Sequence, residues 1–310
     1  MNILLLGAAG FIGTNLAIKL IEDKANVITL IDKNRAYFSN TKIVSAANVI
    51  IKESTLDLEM DFSILEGQEV VYHLVSSIVP ANSNQHISQD IQANVLFSSY
   101  LFEACVKYRV KKIVFISSGG TVYGKESLCP LSENTPTNPI TSYGVQKITI
   151  EKLLYLYKYM YGLDYRIIRL ANPYGPYQRP NGVLGAVTTF TYKALKGDEI
   201  QVYGDGSVIR DYIYIDDAIR GIINIVDGNG MYNTFNLGCG CGTSISEVLR
   251  TIENVLGKKL KIVYKGGRMV DVPINYLDIS RYEACYGKLN PISLEEGILK
   301  TSDFMKKYLL

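Results

Sequence analysis

Tyr143 and Lys147 stand four positions apart in the segment Tyr143-Gly144-Val145-Gln146-Lys147. On a helix that spacing puts a phenol and an ammonium on one face. A tyrosine with an ordinary pKa of about 10 is a poor base near neutrality, and a neighbouring lysine charge favours its phenolate. Such a pair can take a proton from a hydroxyl while hydride leaves the same carbon. With 23 Tyr in the chain the spacing alone is common by chance, so the setting decides. Pro136, Pro139 and Ser142 lead into the helix, and a strand ending Ile116-Ser117-Ser118-Gly119-Gly120-Thr121-Val122-Tyr123-Gly124 precedes it. Hydroxyls at the carboxyl end of a parallel strand, here Ser118 or Thr121, face the crevice where such sheets bind ligands.

The second chemical signal is Gly7-Ala8-Ala9-Gly10-Phe11-Ile12-Gly13. It lies between an apolar run, Asn2 to Leu6, and helical spacing from Phe11 to Ile21. One glycine makes the tight turn, one lets backbone approach a pyrophosphate, and one lets helix and strand pack closely. The helix N-terminus then offers free N–H groups and a partial positive charge to phosphate. Asp32 ends the next strand, 19 positions after Gly13. A carboxylate there accepts hydrogen bonds from ribose hydroxyls and repels a 2′-phosphate, which favours NAD over NADP. Lys33 and Arg35 follow it. The Gly-x-x-Gly-x-x-Gly spacing differs from the Gly-x-Gly-x-x-Gly of many dehydrogenases.

These residues need a scaffold, and the first half of the chain supplies one. Further strands are expected at Asn26 to Ile31, Val70 to Val75, Lys112 to Ser117 and Tyr165 to Leu170, with helices around Asp90 to Lys107 and Tyr143 to Tyr161. Apolar strands alternating with helices imply a parallel sheet covered on both faces. After Asn172 the segments shorten and fill with Gly, Pro and Asn, with helices expected at Leu184 to Leu195 and Ser244 to Leu256. The expected fold is α/β: a doubly wound, Rossmann-type parallel sheet with a smaller C-terminal α/β lobe. Residues 1–172 would bind the dinucleotide, with 210–238 returning to them, and residues 173–209 and 239–310 would form the substrate lobe.

Composition sets the class. The chain has 310 residues, 47% hydrophobic and 20% charged, which excludes disorder as the main state. The net charge of +2 gives no global field for nucleic acid. The apolar stretch Ile3 to Gly13 is too short to span a bilayer. The first basic side chain, Lys19, follows that run instead of preceding it, so no secretory leader is expected and the protein reads as cytoplasmic. Five Cys scattered over the chain read as reduced thiols. Cys239-Gly240-Cys241 reads as a Gly-rich loop, not a zinc site, which needs about four ligands; the chain has 2 His and no metal is expected.

Together these motifs resemble the extended short-chain dehydrogenase/reductases. The likeness is to the NAD-dependent sugar-nucleotide epimerases and dehydratases, most of all the UDP-glucose (galactose) 4-epimerase type of bacterial polysaccharide synthesis. It covers nearly the whole chain, including Asp57-Leu58, Asn94, Thr121 to Gly124, Pro139 through Lys147, and Arg169 to Pro176. It continues through Tyr203-Gly204-Asp205-Gly206, Arg210-Asp211-Tyr212-Ile213, and Arg268 with Asp271-Val272-Pro273. The resemblance implies NAD as cofactor, bound by Gly7, Gly10, Phe11, Ile12, Gly13, Asp32, Asp57, Leu58, Asn94 and Pro173. Tyr143 would be the base, and Lys147 its partner and a contact of the nicotinamide ribose. Asn172 would contact the sugar nucleotide, while Arg210 and Arg268 would grip its diphosphate, as guanidinium forks suit phosphate. Gln201 and Tyr203 are candidates for the nucleobase pocket, and Asp271 and Asn275 complete the substrate set, Asn275 where relatives limit sugar size. A homodimer through a four-helix bundle is also implied, in keeping with the aromatic run Tyr155, Tyr157, Tyr159, Tyr161.

Three departures stand out. Gly119 occupies the position where the family carries Ser or Thr, which leaves Ser118, Thr121 or a water to supply that hydroxyl. Gly120-Thr121 replaces the acidic pair of the dehydratases and the Glu usual in the decarboxylases, which disfavours both. Val75-Ser76 follows His73-Leu74 where small residues are usual. The reading is an enzyme that epimerises C4 of a UDP-hexose or another nucleotide hexose through a 4-keto intermediate. The alternatives are an NAD(P)H-dependent reductase of a 4-keto-6-deoxy nucleotide sugar and, more remotely, a non-catalytic dinucleotide-binding protein.

Overall fold

The computed structural model of the chain describes all residues except 40, 78–83, 126–127, 181–184, 229 and 268–271. In chain order the strands are β1 (Asn2–Leu6), β2 (Val27–Asp32), β3 (Val49–Glu53), β4 (Val70–His73), β5 (Lys112–Ser118), β6 (Asp164–Leu170), β7 (Asn172–Tyr174), β8 (Glu199–Tyr203), β9 (Ile209–Arg210), β10 (Tyr212–Tyr214), β11 (Thr234–Leu237), β12 (Thr243–Ser244), β13 (Lys261–Lys265) and β14 (Ile274–Asn275). The α-helices are α1 (Phe11–Leu20), α2 (Ile87–Ile91), α3 (Phe97–Lys107), α4 (Ser142–Tyr161), α5 (Ala186–Lys196), α6 (Ile215–Asp227), α7 (Ile245–Leu256), α8 (Ser280–Tyr286) and α9 (Leu294–Tyr308).

A seven-stranded sheet runs β11-β6-β5-β4-β1-β2-β3. β1 pairs in parallel with β2 and β4, and β2 with β3 and β4 with β5 likewise. This is the doubly wound Rossmann topology. Strand order reverses between β1 and β4, and ligands of such sheets bind outside the carboxyl ends of the strands at that point. β1 and β4 hold nine residues, all but Asn2 buried, which is why they read as unbroken apolar runs.

The chain divides into two compact units at places the sequence reading did not expect. The first comprises Met1–Ser117, Thr141–Ile168 and Asn229–Thr234, the second Ser118–Ile140, Arg169–Gly228 and Phe235–Leu310. The chain passes from first to second within β5, β6 and β11. Residues 118–140 therefore group with the second unit, as do Arg210 to Gly228 and Phe235 to Gly238, parts of the stretch 210–238 expected to return to the dinucleotide domain; residues 239–310 lie in the second unit as expected. Strand-level pattern cannot show where contacts change hands inside a continuous strand.

In the first unit the core joins Leu4, Leu6 and Val71 of the sheet to Phe97, Leu101 and Phe102 of α3 and Ile150 and Leu154 of α4. The helix expected from Asp90 to Lys107 begins earlier and is interrupted: a π-helical turn, Gln92–Leu96, lies between α2 and α3. Such turns concentrate at functional sites. α4 starts on the Thr141 hydroxyl, which accepts the Gly144 N–H at 3.2 Å, and stops at Gly162 with φ 73°.

In the second unit α5, α7 and α9 pack on one another. β8 alternates buried Ile200 and Val202 with exposed Glu199, Gln201 and Tyr203, and pairs in parallel with β13. β12-β9-β14 form a small three-stranded sheet and β10 pairs with β7. Ser244 and Glu247 cap α7 reciprocally, at 3.1 and 2.8 Å.

Candidate active site

The glycine loop of the first unit fits the use the sequence suggested. Gly7 has φ 80°, a left-handed value that side chains resist. A Cβ on Gly13 would lie 2.6 Å from the Gly7 carbonyl oxygen and 2.7 Å from that of Ala8, so only glycine lets α1 start this close to the loop. Gly10 is the N-cap and has no side chain to offer, which leaves the N–H groups of Phe11, Ile12 and Gly13 without a side-chain cap. That is a cradle for an anion, reinforced by the helix dipole. Asp32 at the end of β2 accepts the Ala9 N–H at 2.8 Å through Oδ2 and the Lys33 N–H at 2.8 Å through Oδ1. It is thereby fixed beside the loop, and each oxygen keeps lone-pair capacity for a ribose hydroxyl. Asp57 holds the Glu59 N–H at 3.0 Å, and Leu58 packs on the core.

Tyr143 and Lys147 lie on α4 as the spacing predicted. The Lys147 ammonium is 5.4 Å from the Tyr143 ring centre and 4.6 Å from that of Phe115, and it donates to the Ile116 carbonyl at 2.9 Å. Lys147 is buried, and desolvation lowers its pKa to about 8, while the Glu151 charge acts to raise it. Glu151, also buried, accepts the Ser117 hydroxyl at 2.6 Å. Sequence reasoning passed over this carboxylate, although the ladder Tyr143, Lys147, Glu151 at steps of four was there to read.

Asn94 sits on the π-helical turn. Its Nδ2 reaches Asp90 O at 2.7 Å, Ser77 Oγ at 2.9 Å and Gln146 Oε1 at 3.1 Å, and its Oδ1 accepts the Ser77 N–H at 2.9 Å. Asn94 thus ties the segment after β4 to α4, with Gln146 as a second tie that the sequence reading did not single out. Val75, Ser76, Asn94, Tyr143, Gln146, Lys147 and Ile150 line one small pocket. The unusual Val75-Ser76 pair is therefore a wall of the Tyr143 pocket. A Cβ on Gly7 would lie 3.2 Å from Leu74 C and 3.3 Å from Val75 N. The segment after β4 consequently adjoins the glycine loop at one end and the Tyr143–Lys147 pair at the other.

The second unit holds the remaining candidates. Ser118 ends β5, and Gly119 N–H donates to Leu170 O at 2.8 Å. A Cβ on Gly119 would lie 2.6 Å from Leu277 Cδ1 and 3.0 Å from Arg169 O. Leu277, wholly buried, fills the room a serine would need. A Cβ on Gly120 would meet only Asn172 Oδ1 at 3.8 Å and Ser118 Oγ at 3.9 Å. Ser118 Oγ and the Asn172 amide oxygen therefore face one open space. Thr121 Oγ1 is enclosed, with no hydrogen-bond partner among the described residues.

Asp211, wholly buried, organises this region. Its carbonyl accepts both Asn172 N–H at 3.0 Å and Asn172 Nδ2 at 2.9 Å, which turns Oδ1 toward Gly120. Its carboxylate accepts N–H groups of Cys239 at 2.7 Å, Gly240 at 3.2 Å and Leu277 at 3.2 Å, and burial raises its pKa. The sequence placed Asp211 in a motif without showing its burial.

Pro173 lies on β7 opposite Ile213. Arg210 on β9 is steered by Nη1 bonds to Ile209 O at 2.8 Å and Val272 O at 2.5 Å. Asn275, directly across from Arg210, is buried, donates to Gly119 O at 3.2 Å, and has an Oδ1 without a partner among the described residues. Gln201 and Tyr203 share the exposed face of β8. Arg268 and Asp271 lie outside the described residues.

A doubly wound sheet, an uncapped glycine loop with a carboxylate at the next strand end, and a tyrosine beside a buried lysine define a dinucleotide-dependent oxidoreduction scaffold. The chain belongs to the NAD dependent epimerase/dehydratase family, whose model matches residues 3–238. It is 33% identical over 311 residues to a UDP-glucose 4-epimerase of Mycolicibacterium smegmatis, covering 99% of each chain. It superposes with TM-score 0.90 and 34% identity on the whole of a Thermotoga maritima UDP-glucose 4-epimerase solved with UDP-glucose. It is also 30% identical, over 96% of each chain, to a dTDP-4-dehydro-6-deoxyglucose reductase of Escherichia coli.

Proposed function

We propose that this protein inverts C4 of a nucleotide-activated hexose, with UDP-glucose/UDP-galactose or their N-acetyl forms as substrates and NAD as cofactor. The observation that carries the reading is the continuity, in the first unit, of the glycine loop, the Leu74 to Ser76 segment and the Tyr143–Lys147 pair. Gly7, Gly10, Phe11, Ile12 and Gly13 would hold the pyrophosphate, Asp32 the ribose, and Asp57 and Leu58 the adenine, with Asn94 shaping the pocket and Pro173 a further cofactor contact. When bound, NAD supplies a reversible acceptor for the hydrogen at C4.

Tyr143 takes the proton of the 4-hydroxyl, and the charge of Lys147 stabilises the phenolate that accepts it. Ser118, whose hydroxyl faces the space shared with Asn172, is the better candidate to bond O4; Thr121 Oγ1 is enclosed. The resulting C4 ketone turns over and is reduced on its other face, so the reaction is redox-neutral. Arg210, with Arg268, would bind the diphosphate, and Gln201 and Tyr203 the nucleobase. The unpartnered, buried Oδ1 of Asn275 suits a donating sugar hydroxyl, because an unmet acceptor costs about 1–3 kcal/mol. Asp271 remains a substrate contact on the resemblance alone.

The test is proton NMR of purified protein with UDP-glucose or UDP-N-acetylglucosamine and no added cofactor. Appearance of the C4 epimer supports the reading, and Tyr143→Phe should abolish it while NAD stays with the protein. The 30% identity to a 4-keto sugar reductase keeps one second reading in view. Turnover only of a 4-keto sugar, with stoichiometric loss of added NADH, would replace epimerisation by reduction.

Two finer points belong to the same proposal. Ile91 and Leu96, exposed on α2 and the π-helical turn, line a groove with Val95 and with Leu153 of α4. That apolar face fits a homodimer, and a monomer mass by light scattering at micromolar protein would refute it. The enzyme would work in the cytoplasm for polysaccharide synthesis. A deletion strain with unchanged polysaccharide sugars, or the protein recovered outside the cytoplasmic fraction, would remove that role.

A further inference from the structure

Cys239-Gly240-Cys241 is not among the residues proposed for catalysis and binding, and its geometry is specific. The two sulfurs are 3.0 Å apart. A disulfide needs about 2.05 Å, so about 1 Å of closure would join them. Gly240 between them has φ 77°, the left-handed conformation that folds the tripeptide back on itself. The turn is clamped from beneath: the N–H groups of Cys239 and Gly240 bond the two carboxylate oxygens of Asp211, at 2.7 and 3.2 Å. Cys241 is exposed and Cys239 half-buried. An outer thiol that meets solvent first and an inner thiol within reach of it are the two parts of a dithiol exchange site.

We propose that Cys239 and Cys241 form a reactive dithiol that reduces low-molecular-weight disulfides and closes to an internal Cys239–Cys241 disulfide. The Cys241 thiolate attacks one sulfur of the small disulfide, forming a mixed disulfide and expelling one thiolate. Cys239 loses its proton and attacks the Cys241 sulfur, expelling the second thiolate. Two protein thiols are oxidised and one disulfide is reduced to two thiols, so electrons and protons balance. The division of labour follows from the surroundings. A hydrogen bond from the Cys239 thiol lowers the pKa of Cys241 to about 7. Cys239 is pushed upward, first by that same bond, then by burial and the nearby Asp211 charge.

Cys241 is therefore more ionised at neutral pH than an ordinary thiol, and the lower nucleophilicity of a more acidic thiol gives back part of that gain.

The experiment treats the full-length protein with oxidised glutathione at pH 7, alkylates free thiols, and reads the 239–241 peptide by mass spectrometry. The expected wild-type product is lighter by two hydrogens and carries no glutathione, and reduction with dithiothreitol restores both thiols. Cys239→Ser should stop at a glutathione adduct on Cys241, because no second thiol is left to expel the glutathione. Cys241→Ser should form no internal disulfide and leave Cys239 slow to react. A stable glutathione adduct on wild-type Cys241, an unreactive wild-type pair, or a Cys239→Ser protein without the adduct would each overturn the proposal. None of these readouts depends on epimerase activity.

Discussion

Replacing Glu151 with Gln tests how the site keeps Lys147 charged. Glu151 is one helical turn from Lys147, both are buried, and Gln can still accept the Ser117 hydroxyl that Oε1 now takes at 2.6 Å. The change therefore removes the charge and keeps that acceptor. Opposite charges about 6 Å apart in an effective dielectric of about 20 attract by about 3 kcal/mol. That corresponds to about two units on the pH scale. Lys147 in the folded protein titrates at about 8, held down by burial and up by Glu151. A lysine loses its charge as pH rises through its pKa, so loss of the anion moves the alkaline limb of the kcat profile toward acid by about two pH units. At pH 7 the charged fraction falls from about nine tenths to about one tenth, and kcat falls by about tenfold. Near pH 5.5 the variant should approach its parent. The assay is the pH profile of kcat and KM for the proposed epimerisation, with Glu151→Asp expected to restore part of the limb. An alkaline limb unmoved in Glu151→Gln would refute the electrostatic role.

Gly119→Ser should destabilise the protein by about 1–3 kcal/mol, since its Cβ would lie 2.6 Å from Leu277 Cδ1. In a Leu277→Ala background the same change should cost less in urea melts than it does in the parent, and equal melts for Gly119→Ser and its parent would refute the packing explanation. His73 is buried and titrates at about 3, because burial and then the Lys147 charge oppose its protonation. Its folded pKa lies below the unfolded value of about 6.5, so the unfolded chain binds the proton first and stability falls as pH drops from 6.5 toward 3, by roughly 4–5 kcal/mol in all. His73→Leu should flatten the stability curve in that window by up to about 1.4 kcal/mol per pH unit, and parallel curves for the two proteins would refute this. Gly13→Ala forces a Cβ to 2.6 Å from a backbone oxygen, and the purified variant should release much less NAD on denaturation than its parent; equal release would refute the cradle.

Local rules made the glycine loop, Asp32 and the Tyr143–Lys147 face legible, because turn, strand end and helix spacing fix their positions with few neighbours involved. They also gave the parallel α/β class, since doubly buried strands are apolar without a break. β3 carries three exposed and two half-buried residues, so it lacked that signal and was not foreseen. The π-helical turn was equally hidden, because one extra residue per turn leaves no composition mark. Gly119 shows a different limit. Its sequence context said only that a hydroxyl was missing, while Leu277, more than 150 positions away, shows why a serine does not fit.

The sequence by itself thus determined the family, the sheet class and the residues whose chemistry depends on local spacing. Tertiary structure decided the rest. It showed which hydroxyl faces open space, that Glu151 counters the desolvation of Lys147, and that Asp211 holds Asn172 and the Cys239 to Cys241 turn. The physical reason is that burial, close approach and charge coupling are set by residues far apart in the chain. A one-dimensional pattern carries the identity of those residues but not the distances between them.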